Sequence, residues 1–173
     1  MKRLVQLLLL LCLLAPYAYG QEYEKPTEGK SLVYFVRVSS AGALINFKYF
    51  DGEKYLGKMN GVNYFIYECD PGKHIFWVAA ENRDFLTADL KPNATYIVEA
   101  QPTMGAFKAA VQLYAISPDD AKKLKKVNKI IAKNRRTELK GQEEDMAFFI
   151  KNGLERYEKI KNEVAAVNQD WTF

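Results

Sequence analysis

The chain has one histidine, His74, so any site that needs an imidazole must be built around it. A Ser-His-Asp or Cys-His nucleophile would use that ring as its base. Cys69 lies in the same short stretch, and a thiolate with an imidazole is also half of a zinc ligand set. The only other cysteine is Cys12, so two ligands is all that this stretch offers. The bland reading of His74 is a ring hydrogen-bonded beside a turn. That of Cys69 is a small, buried apolar side chain. Glu68, Asp70, Glu81 and Asp84 could supply the paired acids of a glycosidase, but each sits near a turn, where solvation explains it. No glycine-rich phosphate loop or nucleotide motif is present. The expectation is no catalytic residue, no metal and no cofactor, with a hydrolase of unknown substrate as the outlying alternative.

Charge is the second chemical feature. Residues 21–116 hold 10 basic and 11 acidic side chains, whereas Lys122 to Lys140 hold nine basic residues and one acid, Glu138. Lys122, Lys123, Lys125, Lys126, Lys129, Lys133, Arg135 and Arg136 are the candidates for contact with an anionic surface. A run of this kind is ordinarily a solvated helix face. The sharper reading is a docking surface for anionic lipid, glycan or an acidic partner.

The stretch that must position Cys69 and His74 is Tyr64 to Val78, YFIYECDPGKHIFWV. Proline presets φ at about −65° and glycine accepts the positive φ of a type II turn. Pro71-Gly72 therefore predicts a hairpin whose structural residues are Cys69, Asp70, Pro71, Gly72, His74 and Trp77. In that register Cys69 faces His74, Tyr67 faces Phe76 and Phe65 faces Val78, all on one face. Glu68, Ile66 and Tyr64 share the other face with Ile75, Trp77 and Ala79. Both faces are mostly apolar, whereas a sheet with one wet face alternates. The ribbon must therefore be covered on both sides. Each large side chain left in water would forgo roughly 1.5–3 kcal/mol.

The first residues, MKRLVQLLLLLCLLAPYAYG, read as a signal peptide over 1–20: Lys2 and Arg3, an apolar run, then Ala18-Tyr19-Gly20 as a small-x-small cleavage site. The run is short of the about 20 apolar residues a membrane-spanning helix needs. Lipidation at Cys12 is disfavoured, because Leu11 is not the small residue such a signal wants. Export places the protein in the periplasm or at the cell surface and disfavours a nucleic-acid partner. Removing Lys2 and Arg3 lowers the net charge from +4 to +2. With Cys69 alone in the mature chain, no internal disulfide can form.

Residues 21–30 read as a flexible polar leader, and 31–116 as a β-sandwich domain. Strands are predicted at Ser31–Val38, Ala43–Phe50, Glu53–Leu56, the two arms of the hairpin, Asp84–Leu90, Thr95–Gln101 and Phe107–Ile116, with Asp51-Gly52 as a tight turn. Asn93-Ala94-Thr95 is read as a turn rather than a glycosylation site. That is a mainly β fold: a small antiparallel β-sandwich of about eight strands, Ig/prealbumin-like. Residues 117–173 read as a helical segment packed on it. Ser117-Pro118-Asp119-Asp120 predicts a capped helix start with Ser117 as cap, the helix running to about Lys133. Met146, Ile150, Gly153, Tyr157, Ile160, Val164 and Val167 form a seam spaced by fours and threes, which Asn152-Gly153 could kink or end. The two helices are expected as a C-terminal helical hairpin on the sheet that carries Trp77.

Val33-Tyr34-Phe35-Val36-Arg37, Asp51-Gly52, Leu56-Gly57, Gly61-Val62-Asn63-Tyr64-Phe65, Pro71-Gly72-Lys73-His74 and Thr95-Tyr96-Ile97-Val98 form an ordered set over about residues 31–101. The set resembles a group of bacterial exported domains of unknown function, many of them lipoproteins, and is similar to the wider PEGA-type sandwich modules. The resemblance implies a small β-sandwich outside the cytoplasm and no activity. The expected function is a non-catalytic envelope module that binds protein or glycan. The alternative is a docking protein that uses Lys122–Lys140 as a peripheral contact on anionic lipid or glycan.

Overall fold

The computed structural model describes residues 23–104 and 109–173. The expected signal peptide and Cys12 lie outside the described residues. Among the described residues the fold is mainly β, with eight strands in two four-stranded sheets and two helices after them. The strands are β1 (Ser31–Val36), β2 (Phe47–Asp51), β3 (Lys54–Met59), β4 (Tyr64–Cys69), β5 (Gly72–Ala79), β6 (Arg83–Leu90), β7 (Ala94–Met104) and β8 (Ala109–Ala115). One sheet has the order β4-β1-β7-β8, the other β3-β2-β5-β6. Every pairing is antiparallel except β1 with β7.

The hairpin expected at Pro71-Gly72 does not form. β4 pairs with β1, Cys69 opposite Ser31, while β5 pairs with β2 and β6. Asp70-Pro71 carries the chain from one sheet to the other, and Gly72 takes φ 110° at the corner. The alternation of side chains was nonetheless read in the right phase. Phe65, Cys69, Phe76 and Val78 are all buried in the core between the sheets, with Tyr67 packed against it. They face one another across two sheets instead of lying side by side in one. Period-two patterning says which side chains share a face, and not whether two such faces are coplanar or opposed.

The doubly apolar pattern has a structural counterpart in both strands. The outer face of the β4-β1-β7-β8 sheet, with Leu32, Tyr34, Val36, Tyr64 and Ile97, is covered by Val127 and Ile130 of helix α1 (Ala121–Ala132). The outer face of the other sheet, with Phe50, Trp77, Ala79 and Phe85, is covered by helix α2 (Ala147–Ile160) and by Met146 before it. The helices follow the sandwich as expected, but they lie on different sheets and not as a pair on one.

α1 begins later than the Ser-Pro signal suggests. Ser117 accepts from the Asp119 and Asp120 amides in a preceding turn, and Asp120 is the cap, its side chain accepting from the Lys123 amide at 2.9 Å. Gly153 neither kinks nor ends α2. It is where the helix meets Trp77: a Cβ there would stand 2.6 Å from the indole Cη2. Trp77, fully buried, stacks on Phe50 at 3.7 Å between centroids, lies between Phe85 and Phe149, and donates its Nε1–H to the Gly52 carbonyl at 2.9 Å. The seam holds as helix from Met146 to Ile160. Beyond a 3-10 turn over Lys161–Glu163 the chain extends, and Val167 enters the inter-sheet core instead.

Sheet edges carry unpaired backbone groups that invite association. Here the tail closes three of the four. Thr137 and Arg135 bond to Tyr64 on β4, Lys140 exchanges two bonds with Lys58 on β3, and Ala165 and Val167 bond to Thr87 on β6. Gly57, at φ 128°, lets residues 139–140 come this close to β3, since a Cβ there would meet Leu139 Cβ at 2.7 Å. The fourth edge, β8, is met by side chains: Asn82 pairs with both backbone groups of Val111, and the Asp84 carboxylate accepts from the Leu113 amide. The leader is likewise tied down where it is described. Tyr23 packs edge-on against Tyr34 and donates to Asn128, Glu24 pairs with Arg136, and Thr27 donates to Glu68.

Candidate functional site

The first candidate is the cluster around His74, at one end of the inter-sheet core. β5 brings the ring over from the corner, β2 ends on Asp51, and β4 supplies Tyr67 and Cys69 from the facing sheet. His74 Nδ1 lies 2.8 Å from Asp51 Oδ2, and Nε2 lies 2.8 Å from the Asp70 carbonyl. The ring stacks on Phe76, and the Tyr67 hydroxyl donates to the same Asp51 oxygen at 3.0 Å. The hydrogen bond to Asp51, with a smaller contribution from Cys69, pushes the imidazole pKa up to about 10. The ring is therefore an imidazolium at neutral pH, donating from both nitrogens. Burial first, and the Asp51 charge second, raise the Tyr67 phenol.

An imidazolium with both N–H groups engaged has no lone pair to accept a proton or bind a metal. Cys69 is buried, its Sγ 3.9 Å from the Ser31 carbonyl. Cys69 and His74 do come near one another, across two sheets and not across a hairpin. Asp70 ion-pairs with Lys30, Glu68 accepts from Thr27, and Asp84 is spent on β8, burial raising its pKa. Among the described residues, no group of three or more His, Cys, Asp or Glu is placed to hold a metal.

The second candidate is the basic segment, and the structure divides its eight residues. Lys123 ion-pairs with Glu99, a buried carboxylate on the outer face of β7, and its ammonium lies over the Tyr114 ring. Arg136 pairs with Glu24, and Arg135 donates to the Val62 carbonyl at 3.3 Å. Lys122, Lys125, Lys126, Lys129 and Lys133 remain. All five are exposed and none has an ion-pair partner among the described residues. At 3.6 residues per turn they occupy an arc of about 100°, opposite the Leu124, Val127 and Ile131 stripe that faces the sheet.

Two partners in these clusters, and one buried cation outside them, are missing from the sequence-based expectations. Asp51 reads there only as a turn residue, although a lone histidine beside a core needs a carboxylate to stay charged. Glu99 sits at an outward position of an otherwise apolar strand, a signal that something cationic covers that face. Arg37 is wholly buried with no carboxylate partner among the described residues, and burial lowers its pKa. Its guanidinium donates to the carbonyls of Ala41, Gly42 and Ile45 and lies over Phe47.

No family model matches the chain, and no curated protein matches it. Among the described residues, no helix is long and apolar enough to cross a membrane.

Proposed function

We propose that this is a non-catalytic, exported envelope module that docks on an anionic surface through the outer face of α1. One observation carries the reading: five exposed lysines share one arc with no ion-pair partner among the described residues, while Lys123 on the same helix is spent on fixing it to the sheet. Helices that merely solvate a surface usually intersperse the two signs. A one-signed stripe raises a potential that anionic lipid or glycan lowers, at roughly 1 kcal/mol for each lysine near such a surface. The non-catalytic half of the reading is supported by His74, whose two nitrogens are both engaged. The exported half is supported by the basic and apolar pattern of the first twenty residues.

Co-sedimentation with lipopolysaccharide and with anionic liposomes, at low and at high salt, tests the reading. Salt-sensitive binding that disappears in Lys125→Glu/Lys129→Glu is the expected result. No binding to either, or binding indifferent to those substitutions, removes it.

A further inference from the structure

We propose that the loop 41–45 is a lipid-inserting tip, Leu44 entering an anionic bilayer whose headgroups are held by the cations near the loop and on α1. The proposal rests on the docking reading above and commits it to lipid.

Leu44 is 91% exposed. A single exposed leucine on a loose surface loop needs no explanation, but this one stands on a loop that the protein holds rigid from within. The fully buried Arg37 donates to Ile45 O at 2.8 Å, to Ala41 O at 2.9 Å and to Gly42 O at 2.6 Å. Inside the loop the Ile45 amide donates to Gly42 O at 2.9 Å, and from outside the Gly61 amide donates to Ala43 O at 2.8 Å. Desolvating a guanidinium with only carbonyls to receive it is costly. Leaving a leucine in water forgoes favourable burial. Both costs fall on the same short loop. The arginine bonds keep the loop from folding back over the leucine, and a membrane supplies the apolar phase that the leucine lacks.

The surroundings are cationic. The turn at 60–63 that receives Ala43 also receives Arg135, through the Val62 carbonyl. Arg135 follows directly on the end of α1, where the lysine stripe ends at Lys133. On the other side, Asn46 and Asn60 flank the loop and form, with Lys58, Thr137 and Lys140, an open polar cleft of about 220 Å³. Glu138 is the acid at its rim, and Lys58 is already paired with Glu144. Arg135, on the turn that holds Ala43, and Lys140, in the cleft that Asn46 lines, thus lie near the loop, and Lys133 continues the positive charge onto α1. Membrane attachment by one apolar contact is marginal, and a second, polybasic signal makes it stable.

The test compares affinity for vesicles of phosphatidylglycerol in phosphatidylcholine, for phosphatidylcholine alone, and for heparin as a soluble polyanion. Leu44→Ser should weaken binding to the anionic vesicles about tenfold, the share of one partly buried leucine. Leu44→Phe should restore or tighten it. Neither should change heparin affinity or the melting temperature, because the side chain is almost wholly exposed. Lys125→Glu/Lys129→Glu should lose both ligands. If Leu44→Ser binds the vesicles as well as the parent, insertion is overturned while the lysine docking stands. If the parent binds heparin and no vesicle, the partner is a glycan and the tip has no lipid role. If the lysine variant binds everything unchanged, docking itself fails.

Discussion

The two outer faces of the sandwich are closed by helices of similar length and opposite character. On one, α2 sets a glycine against an indole: Trp77 lies flat between Phe50, Phe85 and Phe149, and the helix backbone sits directly on it at Gly153. On the other, α1 lays Val127 and Ile130, with half-buried Leu124 and Ile131, on the sheet and is fixed at its start by the Lys123–Glu99 ion pair. α2 is held by packing around Trp77, which is costly to disturb, and it leaves Phe148 80% exposed. α1 is held by an apolar stripe and one ion pair, and its remaining lysines face outward. The difference shows how one tail can complete a fold with one helix and keep the solvent face of the other free for an electrostatic task.

Trp77→Ala should be the most damaging substitution, at about 3–5 kcal/mol in denaturant unfolding. Ile130→Ala on the α1 side should cost less, about 2–3 kcal/mol, since fewer apolar atoms surround it. Equal costs would erase the distinction between the two covers.

Asp51→Asn is next. It breaks a largely enclosed ion pair remote from α1, so its effect should add to that of Ile130→Ala. Its signature is in pH. The folded pKa of His74, about 10, is raised above the unfolded value of about 6.5. The pair's stabilisation is therefore fully present below pH 6.5 and is lost as pH rises through 10. Stability of the parent should decline over that window in chemical denaturation, and the Asn variant should show a flat profile there. A parent with no decline would mean that His74 is not held charged.

Gly153→Ala should destabilise by about 1–3 kcal/mol through crowding against Trp77, although alanine favours an isolated helix by about 1 kcal/mol. A stabilised variant would show that α2 stands off the indole. Smallest of all, Lys125→Gln/Lys129→Gln should leave stability within about 0.5 kcal/mol of the parent. A larger loss in thermal melts would make the stripe structural and take away its freedom to bind.

Much of the fold was legible because β-strands announce themselves by alternation and turns by Gly, Pro and Asn. The strands around Tyr34, Ile75, Leu86 and Ile97 fall where the pattern puts them. What failed was the step from local pattern to pairing. Pro71-Gly72 serves a corner between sheets as well as a hairpin, and nothing local separates the two. The seam of α2 is readable to Ile160, but Val164 and Val167 keep helical spacing while the chain runs extended, because Ala165 and Val167 bond to the edge of β6 and Val167 enters the core, Val164 staying against the Trp77 cluster. For the candidate sites, the basic run was plain from composition. Its division into three committed cations and five free ones was not, since that depends on Glu24, Glu99 and the Val62 carbonyl, all remote in the chain. The buried Asp51–His74 pair required knowing which sheet each strand joins.

The claim on which the rest stands is that residues 117–173 complete the sandwich, shielding both outer faces and three of the four edges. A chain ending at Ile116 tests it most directly, compared with the full protein by size-exclusion chromatography and thermal unfolding. With Trp77, Phe50, Tyr34 and Ile97 uncovered and β3, β4 and β6 unpaired, it should aggregate or lose its cooperative transition. A soluble monomer that melts cooperatively at the temperature of the full chain would contradict it.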